Sequence, residues 1–174
     1  MKWLTAKSRL EQANKPNKWY LEDNELFQDE DGAVYLVPRN YLTDNYTIPD
    51  LLAWVAGCKS KYDVRPSHIH DFGCQFKQLI KVRLNEQGLR KLGFMRKKGD
   101  LYVCNDIPRE FLEIIPVTKW EIDCLFKRAM KATGDISNYT ACVYRGGVFF
   151  NFGWLGKHPA FDLNKIYTRE QNGN

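Results

Sequence analysis

Apolar positions change their spacing several times along the chain, and each change marks an element. Glu25-Leu26-Phe27-Gln28 and Ala33-Val34-Tyr35-Leu36-Val37 flank the acidic turn Asp29-Glu30-Asp31-Gly32. That turn ends on the residue that tolerates positive φ, so residues 20–57 are predicted to begin with a β-hairpin. Pro38 ends its second strand, and a polar, aromatic loop follows from Asn40 to Thr47. Asp44 or Thr47 stands where a helix cap is wanted, with Pro49 in the first turn, where a missing N–H costs nothing. Leu51, Leu52, Trp54 and Val55 supply the apolar face of this helix, 48–57, and Gly57 stops it.

A second helix is predicted over 66–80, opened by Arg65-Pro66-Ser67 and striped by Phe72, Phe76, Leu79 and Ile80. Residues 81–117 change character. Val82 and Leu84 suggest a strand, Glu86 to Leu92 a short helix, and Phe94-Met95-Arg96 with Leu101-Tyr102-Val103-Cys104 a hairpin around Lys97-Lys98-Gly99-Asp100. Thr118-Lys119-Trp120-Glu121 is a capping box, and it opens a helix over 118–133 with Ile122, Phe126, Ala129 and Met130 on its apolar face. A partner helix is expected over 137–150, completing a helical pair in 118–154, with 155–174 as a tail. Residues 1–18 are polar and basic, anchored by Trp3 and Leu4, and fit a first edge strand or a docked arm. The expected fold is one α+β domain. A small antiparallel sheet or hairpin packs on a bundle of about four helices, with a β-rich basic insertion between the second and third.

A chain of 174 residues with 44% hydrophobic content can bury one full core. Its 26 basic and 21 acidic residues leave a net charge of +5, mild unless concentrated. It is concentrated: Lys77, Lys81, Arg83, Arg90, Lys91, Arg96, Lys97 and Lys98 face the single acid Glu86 between residues 77 and 98. Such a block is a solvated face or a footprint for nucleic acid, an anionic membrane surface or an acidic host protein, with Arg83, Arg90, Lys91, Arg96, Lys97 and Lys98 as the contacts. Cysteines at 58, 74, 104, 124 and 142 are odd in number and lack C-x-x-C spacing, which fits reduced thiols better than a disulfide framework or a zinc knuckle. The N-terminus lacks the apolar core of a signal peptide, and no apolar run approaches the roughly 20 residues of a membrane span. A cytoplasmic or particle-associated protein is expected, with no signal-peptide export.

Candidate chemistry concentrates in Ser67-His68-Ile69-His70-Asp71-Phe72-Gly73-Cys74. His68, His70 and Asp71 lie within four residues, and the chain has one other histidine, His158. Two imidazoles and a carboxylate at this spacing suit a general base, a metal site or a hydrogen-bonded core. His70 and Cys74 are four apart and share a helix face, while Asp71 is rotated by about 100° from His70. His68 is expected to be peripheral. Asp44 is a loop or cap aspartate, or else joins Asp71 and Asp123 as a metal or catalytic carboxylate. The glycines at 146, 147, 153 and 156 fit no phosphate-loop pattern, and the aromatics at 149, 150, 152 and 154 read as core and rim.

Three segments resemble a phage and prophage family catalogued as domain of unknown function 1353. Its pattern is a strand ending V-P-x-G-F-x-T-D-x-A-S-I-P, a helix with H-D-x-L-Y, and a helix with A-D-x-x-F-x-x-A-M. The matching residues are Val37-Pro38, Thr43-Asp44, Ile48-Pro49, then His70-Asp71, then Asp123, Phe126 and Ala129-Met130. Asn40 replaces the glycine, Tyr46-Thr47 the A-S pair and Gly73-Cys74 the L-Y pair. The resemblance implies a phage or prophage origin and leaves the activity open. His70-Asp71-Phe72-Gly73 is also similar to the H-D-F-G stretch on the catalytic helix of prokaryotic phospholipases A2. Carried over, that likeness implies His70 as general base, Asp123 as the carboxylate orienting it and Asp71 as a calcium ligand; Lys59 to Pro66 has no glycine to shape a calcium loop. Two functions follow as expectations. One is a phage-encoded hydrolase of an ester or phosphoester, using the His70/Asp123 pair and a divalent metal at Asp71 or Asp44. The other is a non-catalytic phage accessory that modulates a host protein or nucleic-acid machinery through the basic segment.

Overall fold

In a computed structural model, residues 1–16, 18–43, 63–134 and 161–169 are described. The predicted helices over 48–57 and 137–150, the aromatic run at 149–154, Asp44 and His158 lie outside them.

The described residues are β-rich, and this corrects the expected architecture. They form three antiparallel sheets of five, three and two strands, with three α-helices, rather than a small sheet on a four-helix bundle. The main sheet has the order β1 (Lys2–Trp3), β4 (Glu25–Gln28), β5 (Val34–Val37), β7 (Gln78–Val82), β10 (Leu112–Pro116). A second sheet joins β2 (Leu10–Gln12), β3 (Trp19–Leu21) and β6 (Leu42–Thr43); β8 (Met95–Lys98) and β9 (Leu101–Cys104) form a ribbon. The helices are α1 (Arg65–Phe76), α2 (Glu86–Lys91) and α3 (Lys119–Lys131).

The predicted 66–80 helix stops at Phe76 because Lys77 takes a left-handed conformation, φ 51°. Its last two stripe residues, Leu79 and Ile80, are neighbours in β7 and point to opposite faces, both buried. The segment 81–117 is therefore not an insertion beside a helical core. Its last strand, β10, pairs with β7, which pairs with β5 on its other side, so the segment is part of the main sheet. The β4–β5 hairpin, with Gly32 at φ 85°, the short helix α2 and the β8–β9 hairpin lie where their local signals put them. The N-terminal segment supplies β1, an edge strand.

Register sorts the main sheet into two faces. Leu26 opposes Leu36, Leu36 opposes Ile80, and Val34 opposes Val82, which opposes Leu112. All six are buried. Buried in the same core are Leu89 of α2 and Met95 and Cys104 of the ribbon, and a Lys2–Glu86 ion pair ties α2 to β1. The other face carries Glu25, Phe27, Val37 and Leu79 and receives α1 and α3. There the Trp3 indole donates to the Ala129 carbonyl of α3.

Helix α3 begins at the predicted capping box: Thr118 Oγ1 accepts from the Glu121 N–H, and Glu121 returns a bond to the Thr118 N–H. It runs close against α1 at Gly73. A Cβ there would lie 2.4 Å from Cδ1 and 2.6 Å from Cγ1 of Ile122, itself wholly buried. Gly73→Ala is expected to force the helices apart and cost about 1–3 kcal/mol in urea unfolding; an unchanged midpoint contradicts this contact.

Candidate functional site

Helix α1 has Pro66 in its first turn and no side-chain cap from Val64. Its residues are buried nearly all round: Ser67, His68, Ile69, His70, Phe72, Gly73 and Phe76. A helix so enclosed must find a partner for every polar side chain it carries. Its two histidines, about 200° apart around the axis, do so in different directions.

His70 faces α3. Its Nε2 lies 3.0 Å from Asp123 Oδ1, and Asp123 is wholly buried. Lys119, one turn earlier on α3, donates from Nζ to both carboxylate oxygens at 2.6 and 2.7 Å. On the ring's other side Nδ1 is 3.5 Å from Asp71 Oδ1, and Cys74 Sγ lies 3.5 Å from Nε2 and 4.0 Å from Nδ1. Phe126 packs on the imidazole with centroids 4.8 Å apart. Two cations and two carboxylates thus form one neutral cluster when the ring is charged.

Burial disfavours that charge, but hydrogen bonds to Asp123, Asp71 and Cys74 outweigh it and hold the His70 pKa well above its ordinary 6.5. Burial likewise pushes Asp123 upward, and its bonds to His70 and Lys119 reverse the effect, holding it below 3.8. Both shifts favour an imidazolium paired with a carboxylate. Neutral His70, formed at higher pH, would keep its proton on Nε2 toward Asp123 and leave Nδ1 as the basic atom.

His68 turns away from this cluster and toward the main sheet. Its Nδ1 is 2.8 Å from Glu25 Oε2, both side chains have no exposure, and Glu25 Oε1 accepts the Ser8 N–H at 3.0 Å. Glu25 and Lys119 are the residues that sequence patterns did not single out. For Lys119 the signal was present as the four-residue spacing to Asp123; for Glu25, a strand residue 43 positions from His68, there was none.

Asp71 is 28% exposed at its side chain and meets His70, while its Oδ2 is buried and, among the described residues, without a hydrogen-bond partner. No group of three or more His, Cys, Asp or Glu side chains among the described residues is placed to hold a metal ion. A cleft of about 390 Å³ beside α3 is lined in part by Asp29, Tyr35, Trp120, Glu121, Cys124 and Arg128, and reaches neither His70 nor Asp123.

The six basic candidates divide. Arg83 is 3.8 Å from Glu113. Arg90 pairs with Glu86 and stacks 4.2 Å above the Tyr102 ring. Lys91, Arg96, Lys97 and Lys98 are exposed. In the comparisons with known proteins, no family model, curated protein or solved structure matches the chain.

The His70 shift has a signed consequence. Its folded pKa exceeds the unfolded value near 6.5, so its stabilisation is complete below that pH and is lost as pH rises through the folded value. Asp123 acts oppositely: its contribution is present above 3.8 and is lost as pH falls through the lowered value. Urea unfolding between pH 6.5 and 9 should show declining stability in the native chain and a flatter profile in His70→Gln; a native profile that does not decline contradicts the charged pair.

Proposed function

We propose that the chain is a phage-encoded hydrolase in which His70 and Asp123 form the acid–base pair, acting on an ester or phosphoester. The observation that carries this reading is the 3.0 Å contact between His70 Nε2 and a wholly buried carboxylate on a neighbouring helix. A carboxylate so placed fixes the tautomer and stabilises the imidazolium formed in the reaction. Asp71 supports it as the group linking Nδ1 to the partly exposed side of α1. Water entering there would give its proton to neutral His70 at Nδ1 and attack the substrate, and the imidazolium would then protonate the leaving oxygen.

The phage origin rests on the family resemblance, and two features support it. The His-Asp and Asp-x-x-Phe segments, 53 residues apart in the chain, meet in space through His70 and Asp123. Asn40, standing where the family pattern has glycine, adopts φ 64°, a conformation that glycine and asparagine take most readily. The exposed Lys91, Arg96, Lys97 and Lys98 favour a second role, a phage accessory that binds a host component without catalysis.

Hydrolysis of p-nitrophenyl butyrate and bis-p-nitrophenyl phosphate tests the first role. One of them should be turned over at a rate that rises with pH through the raised His70 pKa. Asp123→Asn should lower that rate about a hundredfold or more. A folded His70→Gln protein with the native rate would remove the hydrolase reading.

A further inference from the structure

The β8–β9 ribbon has two unlike faces. Met95 opposes Cys104 and both are buried, so that face belongs to the core. By strand alternation Arg96, Val103, Lys98 and Leu101 project from the other face, with Arg96 opposite Val103 and Lys98 opposite Leu101. Arg96 and Lys98 are exposed, Val103 is half-buried, and Leu101 is 59% exposed. Lys97 is also exposed, and Leu92, just before the ribbon, is 50% exposed. Among the described residues no carboxylate pairs with Arg96, Lys97 or Lys98; Glu86 is taken by Lys2 and Arg90.

Uncompensated cations interleaved with an exposed aliphatic side chain suit an anionic partner that also offers an apolar interior. They do not describe a base-stacking platform. Tyr102, the ribbon's aromatic residue, stands on the core-side face opposite Lys97, and Arg90 covers its ring. Flexible basic side chains around an aliphatic one instead match the boundary between headgroups and acyl chains, where the cations meet phosphates and the apolar tip leaves water.

We propose that the outer face of the β8–β9 ribbon docks on an anionic phospholipid bilayer, with Leu101 entering the headgroup boundary and Arg96 and Lys98 meeting lipid phosphates. The attachment is peripheral, and no described helix is long and apolar enough to cross a membrane. Near an anionic surface each cation contributes about fivefold to partitioning, and salt screens it.

The test is co-sedimentation of the full chain with phosphatidylcholine vesicles prepared with and without phosphatidylglycerol. Binding is expected only with phosphatidylglycerol and should weaken as salt is added. Arg96→Glu combined with Lys98→Glu should lower partitioning at least about tenfold. Leu101→Ser, which leaves the charge unchanged, should lower it about threefold or more. These sites are exposed, and unchanged thermal melts confirm that the variants fold. No binding to the anionic vesicles overturns the proposal, as does binding that survives the double charge reversal. Leu101→Ser with native partitioning, or a preference for an oligonucleotide or acidic protein over the vesicles, also overturns it.

Discussion

Helix α1 is a buried rod that carries two imidazoles, and the surrounding structure is arranged to give each a carboxylate. His68 reaches Glu25 on β4, and His70 reaches Asp123 on α3. The first pair ties α1 to the main sheet and the second ties it to the neighbouring helix, so α1 is held on two sides by polar contacts inside the core. Removing one partner from such a pair leaves an uncompensated buried group, which typically costs about 3–5 kcal/mol. The pairs thereby specify how α1 sits, beyond what apolar packing alone would fix.

Helix α3 must then be held in the register that presents Asp123. Its N-terminus is set by the Thr118–Glu121 capping box, and Gly73 lets it approach α1 closely at Ile122. Toward its C-terminal end Arg128 forms a forked pair with Asp29 in the β4–β5 turn, and the Ala129 carbonyl takes the Trp3 indole N–H. Lys119 completes the site. A cation in the first turn opposes the helix dipole, so its two bonds to Asp123 offset that cost while neutralising a carboxylate that would otherwise be buried with excess charge. The same geometry that stabilises the imidazolium delays formation of the base, and the proposed chemistry is accordingly favoured by higher pH.

Local signals were legible. The Asp29–Gly32 turn, the Lys97–Asp100 turn and the Thr118–Glu121 box each placed an element, because each is written in a few consecutive residues. The pairing of His70 with Asp123 was expected only from the likeness to the phospholipase A2 helix, and no local pattern in the residues carries it. Non-local pairing was not legible. Strands β1, β2, β3 and β6 are two or three residues long, too short for a periodic pattern, and β10 pairs with β7 across some thirty residues. Leu79 and Ile80 extend a helical stripe by spacing, and nothing in their side chains announces that Lys77 turns left-handed and sends them into a sheet. The buried pairing of His68 with Glu25 was illegible for the same reason, since its partner lies on a distant strand.

The most direct test of the central claim is the ionisation of His70 in the folded chain, read from its imidazole ¹⁵N chemical shifts across a pH series. The account predicts a doubly protonated ring at pH 7.5, with its proton lost only well above the ordinary histidine value. A His70 ring that is neutral at pH 7.5 and titrates near 6.5 would contradict it.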